Sequence, residues 1–407
     1  MPKTLELTIK GVESEEELRR AQVLMTGLNH PPYIPSTDWL LKYSEQYPRF
    51  QREHTRIVVV NDEVVAALRI STDIARIGEA RLKVGGLGWI AKGMNTYADE
   101  ALAALIAESL AYLKEHRYHL SIVFSHSPAM MDYGFIHSLN DNTLHIPTSE
   151  IRHPTIPKEC VRAIKPGDIP FILHLHSLKY AKNTCSILRE YSHMSIKWSV
   201  FKHSTVFTNP DGKIQGYVLA FVERNQIHVY EAVAHPDALY NSILAHCKSL
   251  ATEHLTSDVI FHLPYEHAMT RYLNNCLLPT ETVHNAGTSH GLMRIVDLEE
   301  TLESMVPEWE HRIHHSLLRE MHCEVTLVID GQPCRIRIHY GVLDIAQQMG
   351  KNKLTLSLQT FTKLLTGYEH LGEIWNQDRR LINREGKALL EVLFPKRNPY
   401  ITPFDRY

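Results

Sequence analysis

The spacing of apolar and polar residues in the first part of the chain predicts alternating strands and helices. Residues 4–12 (TLELTIKGV) alternate apolar and polar side chains, as a half-buried strand does. Ser14, followed by Glu17 three residues later, is a capping-box pattern that opens a helix. The further elements predicted here are strands at 55–60, 63–70, 85–91 and 120–124 and a strongly amphipathic helix over 98–117.

A second block repeats this order with an unrelated sequence. Prolines 147, 154 and 157 mark residues 146–158 as a linker. Two strands within 216–234 form a hairpin about Arg224-Asn225. A helix over 236–253 and a strand over 258–264 complete the block.

A third block, from residue 293, has a different order. The pattern predicts a helix from Leu298 to about Glu320, and then a hairpin about Asp330-Gly331. A final helix over 384–393 precedes an extended tail, FPKRNPYITPFDRY. Strands and helices do not alternate regularly here, which is typical of an α+β domain.

Composition and charge narrow the possible partners. The chain has 407 residues, of which 44% are hydrophobic and 22% charged, an ordinary globular balance. The net charge of -3 gives no reason to expect nucleic acid or an anionic membrane as a partner. The six cysteines form no C-x-x-C pair, and no secretory or membrane-spanning run is visible, so we expect a cytoplasmic protein with reduced thiols. A homo-oligomer is compatible with the sequence.

Stretches in all three blocks resemble one family. They are GGLGWIAKGMNTYADEALAALIAESLAYLKEHRYHLSIVF and MMDYGF in the first, YVLAFVERNQIHVYEAVAHPDALYNSILAHC in the second, and MRIVDLEETL, LSLQTFTKLLTGY and LLEVLFPKRNPYITPFDRY in the third. In order and spacing the chain resembles the Eis (enhanced intracellular survival) branch of the GCN5-related N-acetyltransferases, or GNAT proteins. The resemblance implies an α/β (α+β) fold with GNAT-like domains at 1–147 and 158–290. A sterol-carrier-like domain at 293–407 would follow, its tail returning to the first domain.

The resemblance also implies a chemistry. Acetyl-CoA would donate an acyl group to a small-molecule amine, its pyrophosphate resting on amides at a helix N-terminus. A tyrosine would protonate the leaving thiolate, and the C-terminal carboxylate, here on Tyr407, would be the general base. The matching donor-binding positions are Ile90, Ala91, Lys92, Asn95, Thr96 and Ser125.

The phosphate loop departs from the family's Arg/Gln-x-x-Gly-x-Gly/Ala pattern. Its three defining positions fall on Tyr97, Glu100 and Leu102. Thr96 as N-cap, with Asp99 at the third helical position, would satisfy the free amides internally. Asp99 and Glu100 would also repel a pyrophosphate, so we expect altered or weakened acetyl-CoA binding.

The residue at the position of the family's catalytic tyrosine, the general acid, also differs. Aligning Tyr133-Gly134-Phe135 with the family's aromatic-Gly-aromatic turn places the tyrosine's position at Met130, whose thioether cannot donate a proton. Tyr133 could act if the short preceding helix shifts. His126, at the end of a strand, is either a replacement acid or base or a structural histidine bonded to a nearby carbonyl.

These departures leave three functions open. The chain is an acyltransferase with altered donor binding, a non-catalytic relative that binds a small molecule or partner, or an enzyme that uses the same pocket without CoA. His311, His314 and His315 share a helix face, which suits either a metal site or a solvated surface. With no evident fourth ligand, we expect no metal.

Overall fold

Three β-sheets with flanking helices make up the part of the chain that is described. The computed structural model describes residues 7–28, 50–151, 160–192, 194, 202–223, 225–276, 281–284, 290–374 and 382–406. The strands there are β1 (Thr8–Gly11), β2 (Thr55–Val60), β3 (Glu63–Ile77), β4 (Ala80–Lys92), β5 (Leu120–Phe124), β6 (Ile136–His137), β7 (Asn142–Pro147), β8 (Val161–Ala163), β9 (Ser186–Ile187), β10 (Thr205–Thr208), β11 (Ile214–Glu223), β12 (Gln226–Ala234), β13 (Asp258–His262), β14 (Glu281–His284), β15 (Gly291–Ile295), β16 (His322–Ile329), β17 (Gln332–His339), β18 (Val342–Ala346) and β19 (Lys353–Leu356).

The helices of the described residues lie mostly between strands, as the sequence pattern predicts. In chain order they are α1 (Glu15–Leu28), α2 (Ala98–Glu115), α3 (Ile169–Tyr180), α4 (Tyr240–Glu253), α5 (Ala268–Asn275), α6 (Leu298–His314), α7 (Leu358–Thr366), α8 (Leu371–Ile374) and α9 (Arg384–Leu393).

The first two sheets are each built around the same kind of unit, two parallel strands joined by a helix. The first has the order β1-β2-β3-β4-β5-β15-β6, with β9 added beside β3, and the second has the order β14-β7-β13-β12-β11-β10-β8. In the first sheet β4 and β5 are parallel, with α2 between them in sequence. In the second sheet β12 and β13 are parallel, with α4 between them. The strand–helix–strand order read from the sequence is therefore built twice.

Two strands join the sheet of a neighbouring block. β7, before the proline-rich linker, lies between β13 and β14 in the second sheet. β15, after the second block, pairs with β5 in the first sheet. The proposed division into domains at 1–147, 158–290 and 293–407 stays a prediction, and these two strands tie the blocks together.

The first sheet is covered on both faces. On one face α2 lies so close to β4 that a Cβ at Gly85 would be 2.3 Å from a methyl carbon of Leu113. The core on the other side combines the far half of β3 and β4 with α6, α7, α9 and the third sheet, β18-β17-β16-β19. Its centre is the fully buried Trp309, whose ring meets Phe394 edge-on at 5.6 Å.

Most predicted elements are confirmed, and the mixed α/β class is confirmed with them. The capping box at α1 is present, with the Glu17 amide donating to Ser14 Oγ at 3.1 Å. The hairpin about Asp330-Gly331 and the helix at 384–393 are also present.

The helix predicted to reach about Glu320 ends earlier, at His314. The Ser316 hydroxyl donates to the Ile313 carbonyl at 2.8 Å and accepts the Leu318 amide at 3.1 Å, so a side chain replaces the next helical bonds. Within the described ranges, no helix is both long and apolar enough to cross a membrane.

Candidate active site

The two central strands of the first sheet separate at their carboxyl ends. β4 and β5 pair only from Val84–Leu120 to Leu87–Val123. Beyond Leu87, β4 keeps only β3 as a partner among the described strands. Between its pairs with Arg69 and Ala67, β4 carries one extra residue, a bulge at which Trp89 adopts a φ of 54°. A bulge bends the strand that carries it, so a wedge opens between β4 and β5.

The predicted donor-binding residues lie at this wedge. Ile90, Ala91 and Lys92 end β4, Asn95 and Thr96 follow in the loop to α2, and Ser125 follows β5 directly. Because β4 and β5 are parallel, their carboxyl ends meet at one edge of the sheet. The six residues therefore lie at the same edge of the sheet, on the two sides of the wedge, and their role in donor binding stays a prediction.

The expected cap of α2 by Thr96 is wrong. The helix begins at Ala98, and its N-cap is Tyr97, which makes no side-chain capping bond. The Ala98 amide instead donates to the Asn95 carbonyl at 3.2 Å, a tight turn that moves the helix start one residue along the chain. No acceptor for the amides of Asp99 and Glu100 lies among the described residues, so the donors that an anion needs are available.

The expected repulsion is also reduced. The Asp99 carboxylate forms an ion pair with Lys92 at the end of β4, while both side chains remain partly in solvent. Glu100 is exposed at the helix start without such a partner in the described chain. Lys92 therefore balances the charge of Asp99, whereas the charge of Glu100 is not balanced by a neighbouring cation in the described chain.

The end of β5 holds a histidine pair. The Ser125 amide donates to the His290 carbonyl at 2.9 Å, which joins β5 to the segment before β15. The His126 ring lies against the His290 ring, with centroids 3.4 Å apart. Burial, and then the neighbouring His126, lower the pKa of His290. His126 is exposed and has a ring neighbour that the sequence pattern did not indicate.

Met130 and Tyr133 differ in their surroundings. Met130 is buried in the core beneath α2, whereas Met131 is 41% exposed. Tyr133 is half-buried against the same core, and its carbonyl accepts a hydrogen bond from Arg294. Burial, followed by the charge of Asp132, raises the pKa of Tyr133, so its phenol keeps its proton at neutral pH.

The C-terminal tail runs back between the first two sheets. The Pro399 carbonyl accepts the Asn140 amide at 2.8 Å, and the Tyr400 amide donates to the Thr184 carbonyl at 3.0 Å. Arg406 pairs with Asp141, and its guanidinium lies 4.9 Å from the centre of the Phe124 ring, at the end of β5. Tyr407 itself lies outside the described residues, and the residue before it stands beside the wedge.

A buried cluster of charges anchors this tail; we call Arg189, Glu231, Thr402 and Asp405 the tail clasp. The Arg189 side chain is 1% exposed and donates to both Asp405 oxygens at 2.8 Å. It also pairs with Glu231 of β12 and donates to Thr402 Oγ1 at 3.0 Å. Two buried carboxylates hold the guanidinium charged, which keeps the pKa of Arg189 well above its usual value despite the opposing effect of burial. The sequence carried no signal for the clasp, because Arg189 reads as an ordinary charged residue after a short strand.

The tail also closes the corresponding wedge of the second sheet. β12 and β13 pair only as far as Val229–Phe261. Past that point Thr402 donates to Glu231 of β12 at 3.2 Å, and the Tyr400 hydroxyl donates to the His262 carbonyl of β13 at 2.9 Å. Of the two wedges, the second is bridged by hydrogen bonds from the tail, whereas at the first wedge Arg406 of the tail lies against Phe124 at the end of β5.

Comparison with known structures identifies the fold. A conserved protein of unknown function from Enterococcus faecalis matches with a TM-score of 0.77 and 16% identity, over 99% of this chain and all of that one. A GCN5-related N-acetyltransferase from Anabaena variabilis matches with a TM-score of 0.73 and 13% identity, over 99% of this chain and 100% of the other. Eis1 from Mycobacterium abscessus matches with a TM-score of 0.65 and 12% identity, over the same shares of the two chains. No protein-family model matches the sequence, and no curated protein matches it significantly.

These matches extend over the whole length of each protein, so the arrangement of all three blocks is shared. The chain has the fold of the GCN5-related N-acetyltransferases. The Eis-like resemblance read from its sequence is confirmed at the level of the fold.

Proposed function

We propose that the protein is an N-acyltransferase that takes its acyl group from acyl-CoA and transfers it to a small amine. The observation that carries this proposal is the wedge between β4 and β5, bordered by the free amides of Asp99 and Glu100. Oriented amides at a helix start suit a pyrophosphate, and a bent strand edge suits the extended pantetheine arm.

The proposed reaction needs a base and an acid on opposite sides of the thioester. The amine nitrogen attacks the thioester carbonyl carbon, a C–N bond forms, and the C–S bond breaks. The amine's proton passes to the terminal carboxylate of Tyr407, the residue that follows Arg406 in the sequence. The leaving thiolate takes a proton from Tyr133, whose phenol stays protonated at neutral pH, or from His126.

We further propose that donor binding is altered relative to the family's pattern. Glu100 leaves a carboxylate at the helix start where the pattern has glycine, and Leu102 replaces a small residue. Tyr97 supplies no positive charge at the position of the pattern's Arg or Gln. Lys92 is the cation nearest in sequence to the free amides, and it already forms an ion pair with Asp99.

An equilibrium titration with acetyl-CoA and with desulfo-CoA tests this site. We expect measurable binding of both, because neither the free amides nor the wedge depends on the sulfur. Glu100→Ala should tighten binding about two- to tenfold, since the charge it removes is exposed and partly screened. Glu115→Ala, at the exposed far end of the same helix, is the matched control and should leave binding unchanged.

Two outcomes would contradict the proposal. If neither ligand binds, the fold carries no CoA donor, and the two alternatives remain: a non-catalytic relative, or an enzyme that uses the same pocket without CoA. The buried Met130 at the family's tyrosine position fits both. If CoA binds but no amine releases free thiol from acetyl-CoA, the protein binds the donor without transferring its acyl group.

A further inference from the structure

Two histidine rings lie against each other at the end of β5, the strand that borders the first wedge. The Ser125 amide donates to the His290 carbonyl at 2.9 Å, which fixes the segment before β15 beside the end of β5. The ring centroids of His126 and His290 are 3.4 Å apart, with an angle of 45° between the ring planes. Rings this close are in direct contact, so each one restricts the orientation of the other.

The contact between the rings determines how many protons the pair binds. Two positive charges at this distance repel each other strongly. Groups that interact so closely titrate in two separate steps that belong to the pair. Burial, and then the charge of His126, lower the pKa of His290. Between the two steps, the proton is therefore on His126, the exposed ring, while His290 is neutral.

The other charges around the pair come from the tail and from the chain near β6. Arg406 and His137 also lower the pKa of His290, whereas Asp141 raises it. Arg406 and Asp141 form an ion pair with each other, and their effects on the histidine act in opposite directions. Burial and the contact between the two rings are therefore the main influences on the charge of His290.

His126 and Tyr133 differ as proton donors for the leaving thiolate. His126 is exposed at the end of β5, whereas Tyr133 is half-buried against the core beneath α2, and burial raises the pKa of Tyr133. A general acid is most effective when its pKa lies near the working pH, and imidazole is the side chain whose usual range meets this condition. Both the exposure and the chemistry favour His126 over Tyr133.

We propose that His126 and His290 form a single proton-carrying pair in the acyl transfer proposed above, in which His126 is the acid and His290 is its positioning residue. As the C–S bond breaks, the leaving sulfur takes the proton of the His126 imidazolium, which becomes a neutral imidazole. The amine's proton has passed to the Tyr407 carboxylate, and its transfer to His126 restores both groups. His290 stays neutral throughout and keeps the His126 ring directed at the wedge.

An NMR titration of the ¹⁵N-labelled full-length protein tests the pair independently of catalysis. We expect His126→Phe to raise the pKa of His290, because a neutral ring then replaces an imidazolium. His311→Phe is the matched control, since the His311 ring also lies against another histidine, His315, with centroids 4.3 Å apart on α6. It should leave the titration of His290 unchanged. If His290 titrates alike in His126→Phe and in the wild type, the two rings do not share a proton, and the proposal is overturned.

The pH dependence of kcat, measured with acetyl-CoA and an amine that does not itself titrate near neutrality, tests the acid. The kcat of the wild type should fall as the pH rises through the neutral range, because an imidazolium acid loses its proton there. His126→Phe should lower kcat about 100-fold near pH 7 and remove this dependence. A full rate in His126→Phe assigns the proton to Tyr133 and overturns the acid role.

Two variants of His290 separate positioning from packing. His290→Ala removes the ring and should lower kcat about tenfold with little change in KM for acetyl-CoA. His290→Phe keeps a ring against His126 and should recover most of that loss. An unchanged kcat in His290→Ala overturns the positioning role. If the wild type transfers no acyl group to any amine, the proposed function fails and the acid role fails with it, while the titration of His290 still shows whether the rings share a proton.

Discussion

Replacing Arg189 by methionine tests how the tail is held. Arg189 stands between two buried carboxylates, Glu231 and Asp405, whose side chains are at most 1% exposed. Methionine retains much of the stem but removes the charge and every donor, so both carboxylates lose their counterion. Removing one partner of a buried ion pair costs about 3–5 kcal/mol. The guanidinium also lies 4.4 Å from the centre of the Phe404 ring, a contact that methionine replaces only in part.

This cost falls mainly on the tail, because Thr402 and Asp405 lose their principal anchor in the rest of the protein. Amide hydrogen exchange measures the loss directly. The Tyr400 amide, which donates to the Thr184 carbonyl, should exchange about 10²–10⁴-fold faster in Arg189→Met, since each 1.4 kcal/mol is a factor of ten. Adding Glu231→Gln to Arg189→Met should recover part of the protection, because one uncompensated charge is then removed.

Arg20→Met is the matched control for this prediction. Arg20 pairs with Glu16 on the exposed face of α1, with half of its side chain in solvent. Such surface pairs contribute about 0–1 kcal/mol, so exchange at Tyr400 should stay unchanged. If Tyr400 is as well protected in Arg189→Met as in Arg20→Met, the clasp does not hold the tail, and the reasoning fails.

Two further predictions concern the tail's last residue and the buried His267. Deleting Tyr407 should lower kcat/KM for acyl transfer about 100-fold without loosening the tail. Tyr407→Phe keeps the terminal carboxylate and should be nearly as active as wild type. Equal losses of kcat/KM in both variants would exclude the carboxylate as the base. Because burial lowers the pKa of His267 to about 3, the unfolded chain binds its proton first, and stability falls as the pH drops below about 6.5. His267→Gln should therefore remove about 1.4 kcal/mol of the stability lost between pH 7.5 and pH 5.5 in urea unfolding, and an unchanged pH slope would show that the ring is not held neutral.

The sequence by itself determined the local elements and their order. Apolar spacing placed the helix that is α2 and the strand β5, and turn residues placed the hairpin about Asp330-Gly331. These features depend on residues a few positions apart, so a periodic pattern records them. The order of the blocks, together with the family-like sequence segments in each of them, was enough to indicate the family whose fold the structure shows.

Only the tertiary structure decided how distant segments meet. β7 and β15 each pair with a strand of a neighbouring block, and a strand's own residues do not state which distant edge it will join. The helix α2 begins one residue later than its expected cap, after a turn in which the Ala98 amide donates to the Asn95 carbonyl. The Asp99 carboxylate, which the local motif assigned to the helix start, pairs instead with Lys92 at the end of β4. Arg189 and Asp405 are 216 residues apart. Their pairing, and with it the course of the tail, depends on burial that the folded chain alone creates.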